Sequence, residues 1–277
     1  MTPRLSIVIV SYNSRGEIDG CLRSLTADAL IPPSTSAGAS REIVVVDNAS
    51  TDGTPAHIRQ RWPGIPLIEA GANLGFARAT NIGIRQTTGE LVLLLNPDTT
   101  VPPGAIDRLV SALQRDPHAA AAGPRIVDAH GRAELSFGRM ISPLAELRQK
   151  LLVTGGAGLL RPVIERMTRR SRHVDWVSGA CLLAFRADLE AVGLLDERFF
   201  LYTEDVDLCA SLRARGRRIL YAAEVEIVHQ RGRSAAADPA TTHAAYHQSR
   251  LAFYQKHHPA WVPALRVYLR LFAPRHR

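Results

Sequence analysis

Short, mostly apolar runs alternate along the chain with amphipathic stretches. Residues 5–10, 42–46 and 91–95 are short runs rich in Val, Ile or Leu. Each is closed by polar turn formers: Ser11-Tyr12-Asn13-Ser14, Asp47-Asn48-Ala49-Ser50 and Asn96-Pro97-Asp98. Such runs read as strands buried on both faces. A further strand is predicted near 66–69, before the tight loop Gly71-Ala72-Asn73-Leu74-Gly75. Helical patterns cover about 17–27, the stretch after Ser50 to Arg61, and 76–86; Pro103-Gly104 opens another that ends before Pro117. Residues 31–40, rich in Pro, Ser, Ala and Gly, read as a loop. This alternation predicts an α/β fold: a mostly parallel sheet with helices on both faces. Right-handed crossovers bring the ends of the first, second and fourth strands to one edge. Tyr12-Asn13, Asp47 and Asp98 should line that rim, where open α/β sheets bind ligands.

The second half has a different texture. Shorter strands are predicted at 119–127, 133–137, 174–177, 180–185, 218–221 and 225–228. They suggest a smaller, mixed sheet. Residues 140–173 are helical in pattern, interrupted by Thr154-Gly155-Gly156-Ala157-Gly158, and a helix is predicted over 205–215. The expected layout is one α/β unit over 1–240, in halves of about 1–125 and 126–240, with a helical tail at 241–277 broken at Pro259 and Pro263.

The chain has 277 residues and a formal net charge of +8, which suits anionic partners. No aromatic-and-basic ribonucleoprotein pattern and no zinc-finger spacing occurs, so nucleic acid is not the expected one. Cys21, Cys181 and Cys209 are far apart, which fits a reducing compartment and no metal cluster. No stretch approaches the ~18 apolar residues of a membrane span, and residues 5–10 are too short for a signal-peptide core. A cytoplasmic protein is expected, with peripheral contact at the inner face of the membrane left open. Within 140–173, Arg148, Lys150, Arg161, Arg166, Arg169, Arg170 and Arg172 stand against Glu146 and Glu165. That segment is either an ordinary amphipathic helix or a basic patch for anionic lipid, to which Arg266, Arg270, Arg275 and Arg277 would add.

Neither a Gly-x-Gly-x-x-Gly after the first strand nor a Walker lysine loop is present, so phosphate would be bound another way. A strand-end carboxylate at Asp98 can hold a hard cation, and the cation a phosphate; the simpler role for Asn96 and Asp98 is a turn. Asp47 is either a turn residue or an acceptor for a base N–H or ribose hydroxyl, with Tyr12 free to stack. Glu204, Asp205 and Asp207 crowd the start of a helix, where the dipole favours acids. Glu204 and Asp205 point about 100° apart while Glu204 and Asp207 share a side, so one can face a substrate while another caps. His229 ends a strand pattern just before Gly232-Arg233-Ser234. It is either a surface or core residue or, with Arg233 on a phosphate, part of a metal site.

Taken in order, these segments resemble the family-2 inverting glycosyltransferases of GT-A fold. The matching stretches are Val8-Ile9-Val10-Ser11-Tyr12-Asn13, residues 46–54, Asn73-Leu74-Gly75-Phe76-Ala77 with Asn81-Ile82-Gly83, and Leu95-Asn96-Pro97-Asp98. Further along come Ser178-Gly179-Ala180, Thr203-Glu204-Asp205-Val206-Asp207-Leu208, and His229 with Gly232-Arg233-Ser234. With Phe253-Tyr254-Gln255-Lys256-His257, the set resembles the rhamnosyltransferase-like branch. The resemblance makes 1–125 the donor half and 126–240 the acceptor half. It implies a nucleoside-diphosphate sugar donor, dTDP-rhamnose or otherwise a UDP-hexose, and a glycan or polyprenyl-diphosphate-linked acceptor in cell-surface polysaccharide synthesis. It further implies Mg²⁺ or Mn²⁺ on Asp98 and His229, and Asp205 as catalytic base. Ser11, Tyr12, Asn13, Asp47, Asn73, Asn81, Asn96 and Arg233 would serve the donor, and Ser178, Gly179, Ala180 and Glu204 the acceptor side. Asn96 departs from the usual Asp-x-Asp motif and offers only a neutral oxygen. A sugar nucleotidyltransferase would need a glycine-rich basic loop after the first strand. A non-catalytic nucleotide-sugar-binding subunit would be expected to lack Asp98, Asp205 and His229.

Overall fold

A computed structural model describes residues 5–30, 41–142, 161–230 and 239–272. Strands β1 (Leu5–Ser11), β2 (Arg41–Asp47), β3 (Leu67–Glu69) and β4 (Leu91–Leu95) alternate with helices α1 (Ile18–Leu30), α2 (Thr54–Arg61) and α3 (Phe76–Arg85). They pair in parallel in the order β3-β2-β1-β4. Because β2 and β4 flank β1, the strand order reverses direction there, and a crevice opens at the carboxyl ends of β1 and β4. The register is even: Ser11 lies beside Asp47, and Ile9 beside Leu95. The turns after β1, β2 and β4 therefore share one edge, as the alternation predicts.

The core explains why these runs are so apolar. Leu91, Leu93 and Leu95 point to one face, with Ile18, Leu22 and Leu25 of α1 and Ile106, Leu109 and Leu113 of α4 (Ala105–Gln114). Val92 and Leu94 point to the other, with Ile84 of α3. Every residue of β4 is buried because both faces are covered.

Beyond β4 the sheet grows by a reversed strand. Two-residue β5 (Thr99–Thr100) precedes α4; then come β6 (Ala119–Val127), β7 (Phe137–Gly138), α5 (Arg161–Met167), β8 (Arg172–Val174), β9 (Trp176–Val177) and β10 (Cys181–Phe185). Next follow α6 (Arg186–Ala191), α7 (Glu204–Ala214) and β11 (Arg218–His229). β10 lies antiparallel between β4 and β6, β11 runs parallel to β6, and β5 and β8 pair with β11. The result is one mixed, mostly parallel sheet of nine strands, beside a two-stranded antiparallel sheet of β7 and β9.

Several local expectations change. The strand predicted at 133–137 shrinks to an isolated bridge at Ala133 and to β7, because a tight turn closes at Gly131, φ 73°. The strand predicted at 174–177 is broken at Asp175, whose carboxylate accepts from Met140 N at 2.8 Å and pairs with Arg213 at 2.8 Å. The helical pattern of 140–173 is helix only over α5, with Arg172 and His173 on an edge strand; its residues 143–160 lie outside the described ones. The two strands expected at 218–228 are a single β11, whose register slips between Ala222 and Glu226. A bulge lets one strand change its pairing without stopping. The 31–40 loop lies outside the described residues.

The tail forms α8 (Pro239–His257), a 3₁₀ turn Pro259–Trp261 and α9 (Val262–Phe272). Phe253, Tyr254 and Leu265 bury with Phe199 and Val206 in a cluster of their own. No helix among the described residues is long and apolar enough to cross a membrane.

Candidate active site

Sheet register assembles the site. β10 pairs with β4 so that Cys181 faces Leu95, which brings Ser178-Gly179-Ala180 to the Asn96 turn. Asn96 N donates to Ala180 O at 3.0 Å. One residue earlier in that turn, Gly179 N donates to Asp205 Oδ2 at 2.9 Å. A side chain at 179 would meet the Asp205 Cβ at 3.3 Å, so glycine allows the close approach. On the other side β5 pairs with β11, setting His229 opposite Thr99, and Gln230 N donates to Asp98 O at 2.8 Å. Thus β4, β10, β11 and α7 deliver Asn96, Asp98, His229, Asp205 and the 178–180 turn to one edge.

At that edge His229 Nε2 lies 3.1 Å from Asp98 Oδ1, and Asn96 Nδ2 is 3.4 Å from the same nitrogen. Behind the ring, Glu134 Oε2 is 3.7 Å from Nδ1. Burial disfavours charge on this imidazole, but the contact with Asp98 and the charges of Asp98 and Glu134 outweigh it and raise its pKa to about 9. Glu134 was not singled out by sequence. It lies between an isolated bridge and β7, and nothing nearby in the chain signals its role. Beside these groups opens a cleft of about 480 Å³ lined by Glu17, Asp128, His130, Glu134 and His229.

Could these residues hold a divalent ion? One carboxylate and one imidazole nitrogen face each other, and a second carboxylate backs the imidazole, the usual support for a ligating histidine. Among the described residues no group of three or more His, Cys, Asp or Glu is gathered for a metal. Two protein donors suit an ion that takes its remaining oxygens from a phosphate and water. The donor set fits.

Glu204 and Asp205 start α7. Thr203, at the helix N-cap, is left-handed with φ 71°, and so is Tyr202 with φ 68°. Asp205 is half-buried, with Oδ1 accepting from Val206 N at 2.8 Å. Desolvation raises its pKa against the pull of those backbone bonds. Glu204 is 7% exposed; burial first and the Asp205 charge second push its carboxyl up. Asp207 goes elsewhere: its carboxylate is taken by Lys256 and His257.

The rim of β1 and β2 is built differently. Asp47 is buried and accepts from Ser11 Oγ, Ser50 N and Ser50 Oγ at 3.1, 2.9 and 2.6 Å. Asn13, with φ 50°, accepts from Thr51 N at 2.8 Å and ties the two turns together. Asn73 accepts from Asn48 Nδ2 at 2.9 Å and from Gly75 N at 3.2 Å. Tyr12 stands 41% exposed at the edge. Asn81 is elsewhere: fully buried on α3, it spends its amide on the backbone of Leu195 and on Glu197. Arg233 lies outside the described residues.

A mostly parallel sheet with its crevice at the β1–β4 switch, an acid–histidine pair beside it and an added reversed strand define a GT-A glycosyltransferase fold. A mannosyltransferase from Pyrobaculum calidifontis, solved with GDP-Man and Mn²⁺, superposes with a TM-score of 0.60 at 20% identity, covering 97% of this chain and 69% of that one. S. aureus TarS with UDP-GlcNAc superposes at 0.58 and 16% identity, covering 91% and 66%. The chain belongs to glycosyl transferase family 2, whose sequence model matches residues 6–188. It is 34% identical over 284 residues, 94% of this chain and 87% of the relative, to an N-acetylglucosaminyl-diphospho-decaprenol L-rhamnosyltransferase of Mycobacterium tuberculosis. A low-salt glycan biosynthesis hexosyltransferase of Haloferax volcanii is 28% identical, over 83% of this chain and 68% of that one.

Proposed function

We propose that this protein is an inverting, metal-dependent glycosyltransferase. It moves a sugar from a nucleoside-diphosphate donor to a hydroxyl of a glycan or polyprenyl-diphosphate-linked glycan, in the synthesis of a cell-surface polysaccharide. The observation that carries the reading is the convergence of the Asp98–His229 pair, the 178–180 turn and Asp205 on one sheet edge. The donor is dTDP-rhamnose, with a UDP-hexose as the alternative. The likeness to a relative named an L-rhamnosyltransferase, which extends over nearly the whole chain, supports this choice. That relative's name also supports a lipid-diphosphate-linked N-acetylglucosaminyl acceptor.

Asp98 and His229 would hold Mg²⁺ or Mn²⁺, with Asn96 beside them and Glu134 fixing the ring. The ion supplies positive charge against the departing nucleoside diphosphate. Asp205 takes the proton of the acceptor hydroxyl as that oxygen bonds to the anomeric carbon and the carbon–diphosphate bond breaks. One in-line displacement inverts the centre. Backbone N–H groups fix the orientation of Asp205, and burial raises its pKa above that of an ordinary aspartate, which favours proton uptake. Ser178, Gly179, Ala180 and Glu204 border the acceptor. Tyr12 offers a face for the nucleobase. Asp47 accepts three hydrogen bonds and has capacity for about one more, from a base N–H. Ser11, Asn13 and Asn73 serve the donor by holding the rim, Asn81 serves it only at a distance, through the packing of α3 against Leu195 and Glu197, and Arg233 meets a phosphate. In this reading 1–125 is the donor half, 126–240 the acceptor half and 241–277 the tail.

The test is a calorimetric panel of dTDP-rhamnose and UDP-hexoses with Mn²⁺, then transfer to an N-acetylglucosaminyl-diphosphoryl polyprenol. The expected result is preferential binding of dTDP-rhamnose and an inverted product, lost in chelator and restored by Mg²⁺ or Mn²⁺. Binding without transfer would leave a non-catalytic nucleotide-sugar subunit. Full activity in chelator would remove the metal. Peripheral contact at the inner face of the membrane belongs to the same proposal. On α9, Arg266 and Arg270 are exposed beside Val267, with Trp261 exposed just before. Co-sedimentation with anionic vesicles at low salt and release by high salt are expected.

A further inference from the structure

The tail carries a charged cluster that the chemistry above does not use. Asp207 is 1% exposed, yet its carboxylate meets a lysine and a histidine from α8. His257 Nε2 is 2.7 Å from Oδ1, and Lys256 Nζ donates to Oδ2 at 2.8 Å. The same ammonium reaches Asp196 Oδ2 at 3.0 Å, and Asp196 is itself pinned by Arg198 at 2.6 Å. Lys256 therefore joins three pieces of chain: the segment before α7, the first turn of α7, and α8.

Between Asp196 and Asp207 the backbone is strained. Tyr202 and Thr203 are consecutive non-glycine residues at φ 68° and 71°. Each such residue costs of order 1–3 kcal/mol and persists only where its surroundings hold it. Here α8 supplies holders on three sides. Ser249 Oγ donates to Leu201 O at 2.8 Å, the Tyr246 ring stands edge-on to Tyr202 at 6.1 Å, and Phe253 buries against Phe199 and Val206. The residues that leave this bend are Glu204 and Asp205.

We propose that α8 is a clamp that positions the catalytic base. Lys256, His257 and Ser249 hold the left-handed 202–203 turn, and the turn sets Asp205 against Gly179 N–H. Lys256 is a positioning residue acting through Asp205, so the inference rests on Asp205 being the base. Its physical logic is that a buried carboxylate stripped of one cationic partner must move or take up water. Asp207 is two residues from Asp205, so the first turn of α7 moves with it.

The experiment uses the full chain and compares Lys256→Met, Lys256→Arg, Ser249→Ala and Asp205→Asn for kcat, donor KM, donor Kd and Tm. Lys256→Met is expected to lower kcat about ten- to a hundredfold, while donor KM and Kd stay within about twofold. Lys256→Arg, which keeps a cation for both carboxylates, should recover most of the loss. If Lys256→Met turns over normally while Asp205→Asn is inactive, the clamp is wrong and the base assignment stands. Normal turnover by Asp205→Asn removes the base assignment itself. A kcat loss that follows Tm and donor Kd, and that arginine does not rescue, marks α8 as an ordinary anchor and overturns the proposal. Should Lys256→Met fail to fold, Ser249→Ala removes one hydrogen bond only. It should lower kcat several-fold at unchanged donor KM; an unchanged kcat would equally overturn the clamp.

Discussion

The two sides of the crevice use their polar residues in opposite ways. On the β1–β2 side, Ser11, Asn13, Asp47, Asn48 and Asn73 bond to one another and to nearby backbone, so the shape of the rim is set before a ligand arrives. On the β4–β10–β11 side the charges face each other or face burial. Asp98 and Glu134 flank His229, and Glu204 and Asp205 share a helix start where both carboxyls are pushed toward protonation. A saturated rim fixes shape. An unsettled one stores electrostatic free energy that a cation, a diphosphate or an acceptor hydroxyl can release. On the proposed function the first side sets binding geometry and the second carries the chemistry, a contrast that substitutions on either side can break.

The largest effect belongs to the chemical side. Asp205→Asn keeps the shape and still accepts one backbone hydrogen bond, but it cannot take a proton. Transfer should fall by about 10²–10⁴-fold, with donor Kd nearly unchanged by calorimetry. Comparable turnover would strip Asp205 of its role and erase half of the contrast.

Asp47→Asn probes the other side. Its amide oxygen can keep Ser50 N, but the NH₂ then faces the Ser11 and Ser50 hydroxyls, which must turn from donating to accepting, and all three bonds lose the carboxylate's charge. A loss of about 2–3 kcal/mol in unfolding free energy is expected, read by urea denaturation. If stability holds and donor binding alone collapses, Asp47 serves the base and not the scaffold, and the two rims are less different than their hydrogen bonds suggest. Glu134→Gln is smaller. It removes the charge behind His229 and should weaken Mn²⁺ binding about tenfold, measured by titration without donor or acceptor. Unchanged Mn²⁺ affinity would leave Glu134 outside the metal's support.

Much of this site could be read in the sequence because local rules produce it. An apolar run closed by Asn96-Pro97-Asp98 is a strand end, and parallel crossovers put strand ends together without knowledge of any contact. The same rules place Tyr12-Asn13 and Asp47 on that rim. What they miss is long-range pairing. β5 is two residues long and exists only because β11 passes beside it, so the partner that seats His229 next to Asp98 has no local signature. Glu134 is silent for the same reason. Asn81 shows the converse: a polar residue in a family motif invites a ligand role, yet α3 turns it inward to stitch Leu195 and Glu197. Helix spacing sets Asp207 on the side of Glu204 but names no partner for it; α8, some fifty residues later, supplies Lys256 and His257.

The smallest effect concerns Glu204, and its sign follows from linkage. Its carboxyl has an ordinary value of 4.5 and is raised by burial, then by the Asp205 charge, to about 8. The folded state therefore prefers the protonated form. That preference contributes its full stability below 4.5 and is lost as pH rises through the folded value, so wild-type stability should fall between about pH 5 and pH 8. Glu204→Gln stays neutral throughout and should flatten that slope, so its Tm should rise above wild type toward pH 8. The pair is distinguishable because Asp205→Asn removes the neighbouring charge but leaves Glu204 buried, so a slope should remain. A slope untouched by Glu204→Gln would mean that water reaches this carboxylate, and the chemical side of the crevice would be as well satisfied as the rim opposite.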